Sequence, residues 1–244
     1  MGKTYDNEAF FNAYAGMTRS RKGLAGAGEW HQLEKLFPDV SGKKVLDLGC
    51  GYGWHCRYAA DRGAAKVLGL DQSRRMIDEA ERRNPHPAVT YQVGELEEYG
   101  YPEGTWDLVV SNLVLHYIAN LDGIYRKVYR TLKEGGRFLF NIEHPVYTSA
   151  PGQTWITGAE GERLCWPVDR YFYPGPRTTD FLGFEVEKQH HTLTQILQGL
   201  LDAGFVLKAV EEVTPPEEML ERPGMSDELR RPMMLLVSAE KPKK

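Results

Sequence analysis

The feature that most constrains this chain is an apolar strand that leads directly into a loop with glycine at alternate positions. The strand runs from Lys43 to Leu48, and Gly49, Gly51 and Gly53 follow it. Its penultimate residue, Asp47, brings a carboxylate to the edge of the loop. Glycine takes positive φ freely and lets a ligand approach the backbone. The spacing therefore predicts a strand-to-helix turn that binds a nucleoside.

A second acidic residue closes the next strand and extends this site. Lys66 to Asp71 form an apolar strand whose terminal carboxylate comes 18 residues after Gly53. A helix from Trp54 to Arg62 returns the chain between the two strands, as a β-α-β unit requires. Asp71 is therefore predicted to accept hydrogen bonds from two ribose hydroxyls. The alternative is that it caps the following helix, although Ser73 is better placed for that role.

The glycine pattern does not complete the fingerprint of a dinucleotide site. G-x-G-x-x-G needs a small residue at its third position, where this chain has Trp54 when counted from Gly49 and Cys56 when counted from Gly51. A nicotinamide-dependent oxidoreductase consequently remains only a remote alternative.

The pattern that fits fully is D-x-G-x-G-x-G, which resembles motif I of the class I S-adenosylmethionine (SAM) dependent methyltransferases. Asp71 and the strand from Trp106 to Asn112 match the same family, in its group acting on quinols, sterols and natural products. The resemblance covers about residues 40–142. It implies an α/β fold with a Rossmann-like, doubly wound, seven-stranded, mostly parallel sheet and one antiparallel edge strand. It also implies SAM as the methyl donor and S-adenosylhomocysteine (SAH) as the product.

The resemblance also assigns cofactor contacts beyond the loop. Glu95 is expected to meet the adenine amino group and Leu96 to cover the ring, although Glu95 also belongs to an exposed acidic turn. Asp47 is expected either to accept from loop amides or to face the ligand's ammonium group. The full set of predicted cofactor residues is Asp47, Gly49, Gly51, Gly53, Asp71, Gln72, Glu95, Leu96, Ser111, Tyr14 and Arg19.

The chain is predicted to form one domain over residues 1–244. Residues 1–40 are expected to form an N-terminal helical lid, 41–142 the cofactor-binding core, 143–190 an insertion after strand five, and 191–244 a C-terminal helix and strands. In related small-molecule methyltransferases such a lid folds over the cofactor, which suggests Tyr14 and Arg19 as contacts to its methionine end. The alternative is a docked surface helix with solvated cations.

The insertion is rich in aromatic residues, with 8 among the 42 residues of 143–184 against 11% for the whole chain. These rings are predicted to wall an acceptor pocket, the alternative being a small core that holds the insertion together. The predicted substrate-binding residues are Tyr117, Glu143, Trp155, Trp166, Tyr171 and Tyr173.

Two histidines are candidates for acid–base catalysis. Methyl transfer is an in-line displacement that needs a base only for some acceptors. His144 and His116 both follow strands at the ligand edge of the predicted sheet, and His144 is the leading candidate. The alternative for His144 is that it caps local backbone.

Composition narrows the function further. The net charge of −4 disfavours a surface that binds nucleic acid. The sequence contains no apolar run of about 18 residues, so no membrane-spanning helix is predicted. Three cysteines without a paired ligand motif predict a reducing, cytoplasmic setting and no metal site.

Strand four ends in Ser111-Asn112-Leu113-Val114 and lacks the paired prolines of enzymes that methylate base amines. A small-molecule acceptor with an oxygen or nitrogen nucleophile is expected, while the oligomeric state, monomer or homodimer, stays open. Motif I reports binding only, so a SAM-binding protein without methyl transfer is the main alternative.

Overall fold

The computed structural model describes residues 2–150 and 152–243. Residues 1, 151 and 244, which fall in the predicted lid, insertion and C-terminal segment, lie outside the described residues. The strands are β1 Lys44–Leu48, β2 Lys66–Asp71, β3 Val89–Val93, β4 Trp106–Asn112, β5 Leu132–Glu143, β6 Ile156–Thr157, β7 Arg163–Cys165, β8 Gly175–Phe181, β9 Phe184–His190, β10 Val206–Glu212 and β11 Met234–Glu240.

Seven of these strands form one sheet in the order β10-β11-β5-β4-β1-β2-β3. All neighbours are parallel except at β11, which runs antiparallel to both β10 and β5 and lies one position in from the edge. This confirms the predicted Rossmann-like sheet. The chain leaves β1 for β2 on one side and later returns to β4 on the other. That reversal opens a crevice at the carboxyl end of β1.

Helices cover both faces of the sheet, and the longer ones pack on it through apolar stripes. In the helix Leu121–Thr131, Leu121, Ile124, Tyr125 and Val128 are buried. The α-helices are α1 Gly2–Tyr5, α2 Glu8–Ala15, α3 Thr18–Lys22, α4 Trp30–Leu36, α5 Trp54–Asp61, α6 Arg74–Arg83, α7 Leu121–Thr131, α8 Pro145–Ser149 and α9 Leu193–Asp202. None of these helices, within the part of the chain described, has the length and apolar character needed to span a bilayer.

Side-chain caps define where several helices begin. Ser73 Oγ accepts from the backbone N–H of Met76, as expected for the start of α6. Thr192 and Gln195 form a reciprocal capping box at the start of α9. His190 is the last residue of β9, so the chain passes from the strand to this cap within two residues.

Two elements outside the sheet cover its carboxyl edge. The N-terminal helices bury Phe10 completely, and its ring packs 6.0 Å from Phe181 and 5.5 Å from Phe184, centroid to centroid, on the β8–β9 hairpin. Asp6 fixes the N-terminal segment to the start of α6, since its Oδ1 accepts from Ser73 Oγ at 2.6 Å. The N-terminal segment and the hairpin therefore meet above the crevice.

Candidate active site

One cavity of about 240 Å³ occupies the crevice at the carboxyl edge of the sheet. Its walls come from the glycine loop, the ends of β2, β4 and β5, the N-terminal helices and the β8–β9 hairpin. The predicted site residues among its lining are Tyr14, Arg19, Gly49, Gly51, Asp71, Gln72, Leu96, His116, Tyr117 and Glu143. Within the described ranges no group of histidine, cysteine and carboxylate side chains is arranged to hold a metal ion.

The three glycines of the loop serve different purposes. A Cβ atom on Gly49 would lie 2.2 Å from a methyl carbon of Val114, and one on Gly53 would lie 2.3 Å from the hydroxyl oxygen of Tyr91. A Cβ on Gly51 would meet no protein atom within 4 Å, because this residue faces the cavity. Gly49 and Gly53 thus permit close packing, while Gly51 leaves space for a ligand beside the backbone.

Asp71 lies across the loop from Gly51. Its Oδ2 accepts from the Gly51 amide at 2.9 Å, and its Oδ1 accepts from the Ser73 amide at 2.9 Å. Burial raises the pKa of this carboxyl to about 6, although the two amides act in the opposite direction. Each carboxylate oxygen can accept a further hydrogen bond. Together with Gln72 and Leu96, which also line the cavity, this end has the acceptor groups and the apolar wall that an adenosine requires.

A buried carboxylate that the sequence prediction missed, Glu29, binds Arg19 of the N-terminal segment. Glu29 Oε2 accepts from Arg19 Nη2 at 2.7 Å, and Glu29 Oε1 accepts from Asn112 Nδ2 at 3.1 Å. Burial opposes ionisation of Glu29, but Arg19 and the hydrogen bonds outweigh it and hold the pKa of Glu29 below its usual value. No local pattern marks Glu29 in the sequence, since it stands alone before the apolar stripe of α4.

The other end of the cavity carries a second buried ion pair, also missed from the sequence. Lys188 Nζ donates to Glu143 Oε1 at 2.6 Å, and Gln153 Nε2 donates to Glu143 Oε2 at 3.1 Å. Lys188 is only 4% exposed, because β9 alternates and turns Val186, Lys188 and His190 inward. A lysine on the inward face of a predicted strand is the signal that would have identified it.

His116 and Tyr117 lie beside this ion pair. Nδ1 of His116 is 3.5 Å from the backbone nitrogen of Glu143, and Nε2 is 4.0 Å from Glu143 Oε1. Burial lowers the pKa of His116 to about 4, so the ring is neutral at pH 7. The hydroxyl of Tyr117 is 3.3 Å from that of Tyr5 on the first helix.

The structure places His144 outside the cavity, which corrects the leading catalytic prediction. Pro145 begins α8 directly after it, and the imidazole Nδ1 accepts from the Val146 amide at 3.1 Å as the helix cap. Nε2 lies 3.2 Å from Glu212 Oε1. Both ring nitrogens are therefore used away from the cavity, as the capping alternative expected.

Most of the predicted aromatic wall lies elsewhere, although Phe181 lines the cavity. Trp155 and Trp166 enclose the guanidinium of Arg231, at 5.6 and 4.5 Å from their ring centroids. Tyr171 Oη accepts from the amide of Leu193 at 3.0 Å at the start of α9, and Tyr173 is 68% exposed. These four aromatic residues do not line the cavity, since they hold the insertion together or face solvent.

Four of the predicted cofactor-binding residues also lie outside the cavity. The Oγ of Ser111 is buried and donates to the carbonyl of Leu48 at 2.9 Å. Asp47 lies beneath the loop, where it accepts from Cys56 Sγ at 3.3 Å and burial raises its pKa to about 7. Gly53 packs on Tyr91, and Glu95 is exposed to solvent. None of the four lines the cavity, so neither alternative for Asp47 fits its position.

Comparison with known proteins identifies the class. Residues 46–140 match the methyltransferase domain family. A Listeria monocytogenes crystal structure, solved as a candidate SAM-dependent methyltransferase, is 50% identical and superposes with a TM-score of 0.87 over 91% of this chain and 100% of its own. The SAM-dependent methyltransferase of Mesorhizobium loti is 42% identical, with a TM-score of 0.82 over 89% and 100%.

A third relative has a named acceptor. The malonyl-[acyl-carrier protein] O-methyltransferase of Erwinia billingiae is 33% identical over 212 residues, which is 83% of this chain and 72% of the relative. The chain therefore belongs to the SAM-dependent methyltransferases, and its methyl donor is SAM.

Proposed function

We propose that the cavity is the active site of this methyltransferase, and that it brings SAM together with a small-molecule acceptor carrying an oxygen or nitrogen nucleophile. The observation that carries the proposal is the continuity of one cavity between two different ends. The end at Gly51 and Asp71 suits an adenosine, and the end at His116, Glu143 and Lys188 is left for a second ligand. A protein that only bound SAM would not need space for a second ligand at that end.

SAM supplies an electrophilic methyl group on a sulfonium sulfur, and the chain's own residues hold the partners in line. Asp71 is proposed to bind the ribose hydroxyls. Arg19 has donors beyond the one used by Glu29, and we propose that they hold the carboxylate of the methionine part. The N-terminal helices and the β8–β9 hairpin meet above the cavity, and we propose that they limit the access of water to it.

Proton removal has a small part in this proposal. A neutral imidazole with a pKa near 4 is a weak base at pH 7, so His116 is better suited to binding an acceptor than to deprotonating it. The proposed rate enhancement comes from orientation and from exclusion of water.

Calorimetry and label transfer test the proposed function together. We expect SAH to bind the wild-type protein and NAD not to bind. With methyl-labelled SAM and a panel of small carboxylates, phenols and amines, we expect label in a non-protein product. Binding of SAH without label transfer to any member of the panel would favour the binding-only alternative. Binding of NAD in place of SAH would overturn the cofactor assignment.

A further inference from the structure

The end of the cavity opposite the glycine loop is lined by hydrogen-bond donors. Four side chains there carry polar hydrogens, namely Tyr5, His116, Tyr117 and Lys188. A fifth residue at this end, Glu143, contributes a carboxylate. Which of these groups have donors or lone pairs to spare determines the chemical class of the acceptor.

Lys188 retains a free donor. An ammonium group has three N–H bonds. Among the described residues, Nζ donates to Glu143 Oε1 at 2.6 Å and to Gln153 Oε1 at 3.3 Å. One N–H is left for a ligand. The Phe181 ring, 5.4 Å away at its centroid, shields the ammonium from the side.

His116 is also a donor toward the cavity. A backbone N–H only donates, so the contact of the Glu143 amide to Nδ1 places the lone pair of the neutral ring there and its proton on Nε2. At 4.0 Å, Glu143 Oε1 is too far to accept that proton in a hydrogen bond. Nε2–H is therefore available to an acceptor molecule.

The negative charge of Glu143 is already neutralised by Lys188, so the carboxylate attracts a cationic acceptor only weakly. Lys188 occupies one of its oxygens, and Gln153 Nε2 occupies the other. An amine arrives mainly as an ammonium ion at pH 7 and has to lose a proton before it can attack. The lone pair of His116 that would take the proton is turned toward backbone.

From this arrangement we propose that the acceptor is a carboxylic acid, held as its carboxylate by Lys188 and His116 with the Tyr5–Tyr117 hydroxyl pair beside it. The proposal rests on the proposed function and names the acceptor class for the same cavity. One carboxylate oxygen attacks the methyl carbon, a C–O bond forms as the C–S bond breaks, and the electron pair leaves with sulfur to give SAH. The product is a methyl ester, and no proton is transferred. The donors hold the second oxygen and so orient the attacking one.

Binding measurements on the SAH-saturated protein test the assignment directly. The probes are phenylacetate, benzyl alcohol and phenethylamine, which share an aromatic ring and differ in the group offered to Lys188. We expect phenylacetate to bind at least about tenfold more tightly than the other two. Equal or tighter binding of the amine or the alcohol would overturn the inference, while failure of SAH itself to bind would contradict the proposed function instead.

Matched variants separate charge recognition from folding. Lys188→Met with Glu143→Gln removes both charges of the buried pair, so no unpaired ion is left. We expect this double variant to bind SAH normally and to lose the preference for phenylacetate. Glu143→Gln alone removes the competing negative charge and is expected to tighten phenylacetate binding. Lys208→Met, at an exposed position of β10, is the control. A preference for phenylacetate that survives in the double variant would refute the role of Lys188.

The chemistry of the product provides an independent readout. Mild alkali hydrolyses a methyl ester and releases volatile labelled methanol, whereas N-methyl groups and methyl ethers resist it. We expect label from methyl-labelled SAM to become volatile after alkali. Label held in an alkali-stable product from the amine or the alcohol would overturn the carboxylate assignment and leave the methyltransferase assignment intact.

Discussion

The two ends of the cavity are built in different ways. The glycine-loop end comes from consecutive elements, β1, α5 and β2, so that Gly49 and Asp71 lie within one β-α-β unit. The donor-rich end comes from residues 5, 116, 117, 143 and 188, where the ends of β4 and β5 meet the N-terminal segment and the β8–β9 hairpin, which are far apart along the chain. A site made within one supersecondary unit leaves a motif in the sequence. A site assembled by tertiary packing leaves only scattered polar residues.

The strongest effect is expected on folding, from a substitution at the donor-rich end. Lys188→Met leaves the carboxylate of Glu143 buried without its ion partner, which is expected to lower the free energy of unfolding by about 3 kcal/mol. Denaturant unfolding measures this. The double variant with Glu143→Gln is expected to recover most of the loss. A single variant as stable as the wild type would mean that the ion pair does not form.

The second effect is on binding at the loop end. Asp71→Ala removes the proposed ribose acceptor and is expected to weaken SAH binding about a hundredfold, which corresponds to about 2.7 kcal/mol. Calorimetry measures the affinity. Asp78→Ala, on the exposed face of α6, is the control for loss of a carboxylate. Unchanged affinity in Asp71→Ala would remove the ribose role.

Two glycine variants distinguish the loss of space for the ligand from the strain that a side chain imposes on the backbone. Gly51 and Gly42 both have positive φ, at 51° and 70°, and a Cβ at either would meet no protein atom within 4 Å. Alanine at each is expected to reduce stability by about 1 kcal/mol. Gly51→Ala alone is expected to weaken SAH binding, by about tenfold, because only Gly51 faces the cavity. An equal loss of affinity in both variants would contradict this role.

The smallest effect is a pH dependence of cofactor binding. The pKa of Asp71 is raised to about 6, so its carboxylate is ionised at pH 7 and gains a proton as the pH falls through 6. A protonated carboxyl accepts hydrogen bonds poorly, so SAH affinity is expected to be weaker at pH 5 than at pH 7, by up to about tenfold. Asp71→Asn should abolish the dependence. A wild-type affinity constant over this range would contradict the assignment.

The sequence predicted the sheet and most of the loop end because the deciding information is local. Alternating glycines, strand-terminal acids and the cap at Ser73 each act over a few residues. The placement of His144 could not be predicted, because it depends on α8 beginning at Pro145 and on Glu212 lying across the sheet. Trp166 was mistaken for a substrate contact because its aromatic character was visible in the sequence, whereas its partner Arg231 is 65 residues away along the chain.

A crystal structure of the protein with SAH bound would show how the cofactor lies relative to both ends of the cavity. We predict that the ribose hydroxyls lie within hydrogen-bond distance of Asp71, that the adenosine passes Gly51, and that the sulfur faces the space in front of Tyr117, His116 and Lys188. A cofactor whose sulfur points away from these donors, or whose adenosine fills their end of the cavity, would contradict the two-ended site.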